Sequence, residues 1–262
     1  MDGLKALRVV VSAQTTSFRY PRVQVGRLPS FEMPPPATIY GHLAGVLGEW
    51  FEPNGLEFAY EFHHEGRADD VETIHPIEAG HESMKLADQG WPFPVNVEGK
   101  TNVQRRQFLL RPRLTLYLRS PQGEMLETFR RAFLSPYFSH LLGRSQDLAT
   151  CHSARIVDLA MADDAYFENT LVPFDWRPWV STGVTVLLPE SIDYRRQRLA
   201  VQGRYLQVTK PGFRVSSSDD VTSRERLPAS FIVDPADARE VRGQRVERGL
   251  HFWPIRGPSA IA

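Results

Sequence analysis

Three consecutive prolines, Pro34 to Pro36, divide the stretch "FRYPRVQVGRLPSFEMPPPATIYGHLAGVLGEW" (residues 18–50) into two unlike parts. Proline lacks the amide that a strand ladder needs and clashes inside a helix, yet it suits a helix's first turn. A helix is therefore predicted to begin directly after them, with Thr38 near its cap. Ile39, Leu43, Val46, Leu47, Trp50 and Phe51 recur at helical spacing behind it. The same helix contains Gly41, Gly45 and Gly48. Each glycine costs a helix interior about 1 kcal/mol relative to alanine, so the three together cost roughly 3 kcal/mol if all lie inside. Close approach of another backbone is the usual compensation.

On either side of this helix the pattern is that of strands. "LKALRVVVSA" (4–13) is rich in β-branched residues, and "LEFAYEFHH" (56–64) places Leu56, Phe58, Tyr60 and Phe62 on one face against Glu57, Glu61 and His63 on the other. Periodicity fails from about 65 to 107, a long excursion of the kind that is functional or disordered, with room for a hairpin. "FLLRPRLTLYLR" (108–119) reads as the third strand, with Pro112 at an edge or bulge and Arg111, Arg113, Tyr117 and Arg119 on one face. Phosphate contact there competes with plain cross-strand pairing to Glu57 and Glu61. A second helix covers Met125 to Phe133, and Ser135-Pro136 interrupts it before Gly143 closes "YFSHLLG" as a C-cap. "LATCHSARIVDLA" is the fourth strand.

The order is strand, helix, strand, strand, helix, strand, the α+β ferredoxin-like pattern shared with RNA-recognition modules. Residues 1–160 form this domain. Residues 161–262, with strands at "STGVTVLLP" and "GRYLQVTK", a polar run "VSSSDDVTSRER" and a final "HFWPI", form a smaller β-rich C-terminal lobe.

Composition narrows the function. The chain has 262 residues, 42% of them hydrophobic, enough for a sizeable core. No apolar run approaches a membrane span and the N-terminus lacks the build of a signal peptide, so a cytoplasmic protein with no membrane partner is expected. The single cysteine, Cys151, excludes an internal disulfide framework and fits a buried thiol better than a zinc ligand. Basic and acidic residues balance at 31 each, against indiscriminate nucleic-acid binding. Arginine supplies 27 of the basic residues, a fork suited to phosphate and stacking, although a GC-rich genome would produce the same bias.

Phosphate-binding, dinucleotide, zinc-protease and serine-hydrolase motifs are all absent, and so is the aromatic signature of a conventional RNA-recognition module. His63, His64, His75 and His81 match no metal spacing and read as a solvated loop. "NVQRRQF" sets Arg105 and Arg106 where the excursion rejoins the sheet, and "LLGRSQDL" sets Arg144 and Ser145 after a helix end, a position for gripping phosphate or for an ordinary cap.

Together "SFRYPRVQ", "LPSFEMPPPATIYGHLAGVLGE", the insertion after the second strand and "LLGRSQDL" resemble the Cas five family of CRISPR Cascade complexes, in the RAMP superfamily, nearest to type I-B. The T-x-Y-G-x-L-x-x-x-L-G helix behind the prolines is the most specific element, and the resemblance covers about residues 4–160. It implies a β-hairpin thumb at about 65–107 and a non-catalytic subunit that caps the 5′ repeat-derived tag of the CRISPR RNA. The implied partners are that RNA, the Cascade backbone subunit and the Cascade large subunit, with target DNA met indirectly; no cofactor or metal is expected. By position it points to Arg19 and Arg22 for phosphates, Tyr20 and Tyr40 for stacking or sugar, His42 as a polar neighbour, and Arg105, Arg106, Arg144 and Ser145 to complete the track; Tyr20 fits a core place equally well. The glycine face would admit RNA or a packed segment, and the helix N-terminus would offer amides to phosphate. The alternative is a metal-independent endoribonuclease processing precursor CRISPR RNA, as in the type I-C branch with its tyrosine and adjacent lysine and histidine. Tyr40 matches the tyrosine, but no Lys-His pair exists in this sequence, and arginine is a poor general base.

Overall fold

The computed structural model describes residues 4–20, 23, 26–79, 96–180, 182–193, 199–217, 227–241 and 243–258. Strand β1 (Leu4–Ala13) leads into four two-residue strands: β2 (Thr15–Thr16), β3 (Phe18–Arg19), β4 (Arg27–Leu28) and β5 (Ser30–Phe31). Helix α1 (Pro36–Leu47) and β6 (Glu57–His63) follow, then β7 (Gly66–Ile74), β8 (Ile77–Ala79), β9 (Asn96–Glu98) and β10 (Asn102–Leu110). β11 (Arg113–Arg119), α2 (Gly123–Leu134) and the fourteen-residue β12 (Ala149–Ala162) complete the first half.

These elements assemble as the alternation dictates. β12, β1, β11 and β6 lie side by side in that order, every neighbour antiparallel. In terms of the four long strands read from sequence, the order across the sheet is fourth, first, third, second. Leu7, Val9 and Val11 of β1, Leu114, Leu116 and Leu118 of β11, and Phe58, Tyr60 and Phe62 of β6 point to one face. Ile39 and Leu43 of α1 with Leu126, Phe129 and Phe133 of α2 close over it, all at most 4% exposed. Burying a side chain of this size contributes about 1.5–3 kcal/mol, so this face is what holds the helices to the sheet.

The second half runs β13 (Asp164–Phe167), β14 (Thr170–Pro173), a 3-10 turn (Phe174–Trp176), β15 (Val184–Asp193), β16 (Leu199–Val208) and β17 (Phe213–Ser216). It ends with β18 (Phe231–Val241), β19 (Gln244–Leu250) and β20 (Trp253–Pro254). β15 and β16 match two of the strands read from sequence, whereas residues 218–226 of the polar run lie outside the described residues. The main sheet does not stop at residue 160. The far end of β12 pairs with β18, so one nine-stranded sheet runs β17-β13-β19-β18-β12-β1-β11-β6-β20. β14, β16 and β15 form a separate three-stranded sheet, from which Leu171, Leu188 and Tyr205 join the first-half core.

Several local expectations are corrected. "FLLRPRLTLYLR" is not one strand: Arg111 turns at φ 45° before Pro112, and β10 and β11 enter different sheets. Tyr117 is therefore no part of an exposed aromatic face; it is fully buried and its hydroxyl donates to Asp234 Oδ2 at 2.7 Å. No helix forms between Ser135 and Leu148. The amides of Tyr137 and Phe138 instead donate to the last carbonyls of α1, on Val46 and Gly45. Gly143 is not a helix cap, but its φ of 105° and its position against Ser17 and Thr16, where a Cβ would lie 2.6 Å from the Thr16 hydroxyl, both require glycine. Gly48, finally, lies outside the helix interior and ends α1 at φ 84°.

Candidate nucleic-acid interface

The excursion is built on an antiparallel ribbon. β7 and β10 pair residue for residue from Gly66↔Leu110 to Ile74↔Asn102, and β8 pairs with β9 beyond them; residues 80–95 lie outside the described residues, His81 among them. Strand alternation sends the adjacent arginines to opposite faces. Arg105 is exposed on the outer face, next to Arg27 of β4 in register, and makes no ion pair among the described residues. Arg106 is 9% exposed on the inner face, with its Nε 2.5 Å from Glu72.

Arg19 is exposed on β3, which pairs with β5. That small ribbon is tied to β10 through the Ser17 hydroxyl donating to the Gln107 carbonyl and the Ser30 amide donating to the Gln107 side chain. The structure thus sets Arg27 beside Arg105 in register, with Arg19 exposed on a ribbon tied to the same strand. Arg27 is partly neutralised by Asp69 at 3.1 Å. Tyr20 is half-buried with its ring stacked on Phe31 at 3.7 Å, and Arg22 lies outside the described residues.

The other named residues turn inward. Arg144 donates from Nε and Nη2 to both oxygens of Asp147 and from Nη1 to Glu72 at 2.8 Å. Asp147 is buried and also accepts from the Thr15 hydroxyl at 2.6 Å. Burial alone would raise the Asp147 and Glu72 carboxyls, but hydrogen bonds from Arg144, with Thr15 for Asp147 and Arg106 for Glu72, outweigh it and hold both below the usual carboxylate range. Arg144 therefore clamps the 141–148 loop to the ribbon, leaving Ser145 exposed beside it. Tyr40 is 4% exposed, stacked on Phe51, and its hydroxyl donates to the Phe51 carbonyl at 2.9 Å.

The glycines of α1 open onto space. A Cβ on Gly41 or Gly45 would meet nothing within 4 Å, and both line a groove of about 400 Å³ with His42, Phe138, His140 and Ile192. Burial first, and His140 second, push the His42 imidazole down to about 4, and neither ring nitrogen has a hydrogen-bond partner among the described residues. The helix N-terminus offers less than expected. The amides of Thr38 and Ile39 already donate to the Pro35 carbonyl and Pro36 has none, which leaves only that of Ala37 in the first turn.

The expected surface pairs are real in part: Arg119 meets Glu57 at 2.5 Å across β11 and β6, whereas Glu61 is taken by Arg248 and Arg111 by Glu65. Of the histidines, His64 sits between the Gly66 carbonyl and Glu32. Arg27 is a functional candidate that only its pairing beside Arg105 reveals.

No family model matches the sequence, and no curated protein does. Solved structures do match. A chain of a CRISPR RNA-guided surveillance complex superposes with a TM-score of 0.50 at 17% identity, over 81% of this chain and 92% of that one. Looser likenesses link it to a CRISPR protein from Archaeoglobus fulgidus (TM-score 0.42, 12% identity, 94% and 99% covered) and to a chain of a type III-B Cmr-beta complex bound to cognate target RNA (0.43, 8%, 79% and 86%). The protein has the fold of a chain from a CRISPR RNA-guided surveillance complex, in agreement with the resemblance carried by residues 34–48.

Proposed function

We propose that this chain is a non-catalytic subunit of a type I CRISPR Cascade effector, nearest to type I-B, that caps the 5′ repeat-derived tag of the CRISPR RNA and joins the backbone and large subunits. The observation that supports it most is the shared fold along 92% of a surveillance-complex chain, in a sequence that also has the proline-led T-x-Y-G helix. In this reading the four antiparallel strands with α1 and α2 are the ferredoxin-like unit, and the ribbon of β7 and β10 is the base of its thumb. Arg19, Arg105 and Arg27 neutralise phosphates at the ribbon's base, with Arg22 in the same loop. Tyr20 and Ser145 flank them, while Arg106, Arg144, Tyr40 and His42 hold the surfaces in place. A zero net charge suits a chain that needs to be basic only along one track.

The test is co-expression with Cascade backbone and large subunits and a repeat-spacer array, followed by capture and sequencing of bound RNA. CRISPR RNA with a protected 5′ tag, lost in the Arg19→Ala, Arg105→Ala double variant, is the expected result. Precursor RNA incubated with the chain alone should stay intact. Site-specific cleavage there would move the chain to the processing branch, and complexes assembled without RNA would overturn the reading.

A further inference from the structure

Behind the helix-covered face, the opposite face of the main sheet presents a row of polar side chains that the ribbon track does not use. Residues directly opposite in antiparallel strands share a face with Cβ atoms about 5 Å apart. Thr150 of β12 lies opposite Ser12 of β1, Ser12 opposite Arg113 of β11, and Arg113 opposite His63 of β6. The row crosses four strands, roughly 14 Å at the usual strand spacing. It ends where the chain turns into the ribbon.

A bulge adds a donor to it. The register of β1 against β12 passes from Val10↔Ser153 to Val11↔Cys151, so His152 is an extra residue on its strand. Its Nε2 lies 2.7 Å from the Ser12 hydroxyl. Arg113 is exposed and makes no hydrogen bond or ion pair among the described residues. The carboxylates next along the chain are already committed, Glu61 to Arg248 and Glu65 to Arg111. What faces solvent is thus an unpaired guanidinium among hydroxyls and imidazoles, a set that donates hydrogen bonds to oxyanions.

We propose that the row of Thr150, Ser12, Arg113 and His63, flanked by His152, is a second nucleic-acid contact that binds the phosphodiester backbone of a single strand. Its linear form suits a chain of phosphates better than one compact anion. Arg113 makes the principal phosphate contact, and the hydroxyls and imidazoles orient the strand without reading its bases. The choice of ligand rests on the RNA-binding reading above, but the residues are separate from that track.

The test is fluorescence anisotropy of the full chain with a labelled twelve-nucleotide oligouridine RNA and an oligothymidine DNA of equal length, over a salt series. Arg113→Ala should weaken binding roughly fivefold and flatten the slope of log affinity against log salt by about 0.7, the value for one phosphate on a single strand. Arg113→Lys should restore most of it, and an unchanged melting temperature will show that the exposed site was altered without unfolding. Equal loss on both oligonucleotides identifies the backbone as the ligand; loss on RNA alone places the contact at the 2′-hydroxyl and overturns the proposal. If Arg113→Ala binds like the parent while Arg105→Ala does not, this inference fails and the ribbon track stands. If Arg113→Ala alone weakens binding, the row stands without the track, and if neither variant matters both fall.

Discussion

His42 is a polar ring kept where it cannot be charged. Unfolded, it takes up a proton near its ordinary value of 6.5; folded, it does so only near 4. The folded chain therefore binds fewer protons across that window, so the stability is complete above 6.5 and declines as pH falls toward 4, by on the order of 3 kcal/mol. His251, also pushed by burial to about 4, adds a decline in the same window. His42→Phe, placed among Phe133 and His140, should remove its own share, read as a shallower dependence of urea midpoint on pH. Arg144 works in the other direction. Its two carboxylate partners are depressed in the fold, so their contribution is present above the ordinary carboxylate range and lost as pH falls below it. Arg144→Ala leaves Asp147 buried without its cation and should cost about 3 kcal/mol at pH 7, measured by urea unfolding, with a weaker acid dependence than the parent.

At the scale of elements, α1 tests whether its open side is kept for a guest. Alanine has room at Gly41 and Gly45, so the double replacement should stabilise the chain by roughly 2 kcal/mol in thermal unfolding. If the groove receives RNA or a partner's backbone, the same variant should lose capture of CRISPR RNA despite its greater stability; retained capture would show that the groove is not used. Gly48→Ala should only destabilise, because φ is 84° and the Tyr137 ring lies against it. The strands and helices of the first half were legible because their apolar residues recur at periods of 2 and 3.6 on a single buried face. The helix expected before Gly143 was not, because Tyr137, Phe138 and Leu141 remain exposed, and periodicity without a face to bury predicts nothing. Arg105 and Arg106 look alike in sequence; only the pairing of β10 shows that one faces solvent and the other Glu72. The row across the second sheet face was the least visible, since Ser12 and His152 are 140 positions apart.

For the whole molecule, the boundary read near residue 160 falls inside β12, whose two ends pair with β1 and with β18. Tyr117, Arg8 and Asp234 bind the halves again from within, and Arg248 of β19 reaches Glu61 of β6 at 2.9 Å. We expect the described residues to unfold in one cooperative step, checked by hydrogen exchange in rising denaturant: amides of β6 and β16 should lose protection together. Tyr117→Phe, which leaves Asp234 short of a buried donor, should lower the shared unfolding free energy by about 2 kcal/mol rather than separate the two losses. β12 also has a mechanical meaning. A load applied between its ends is borne in shear by the ladders it shares with β1 and β18, whose one register shift is the bulge at His152. A neighbour bound at one end and another bound at the other would be held at a fixed spacing, as by a strut.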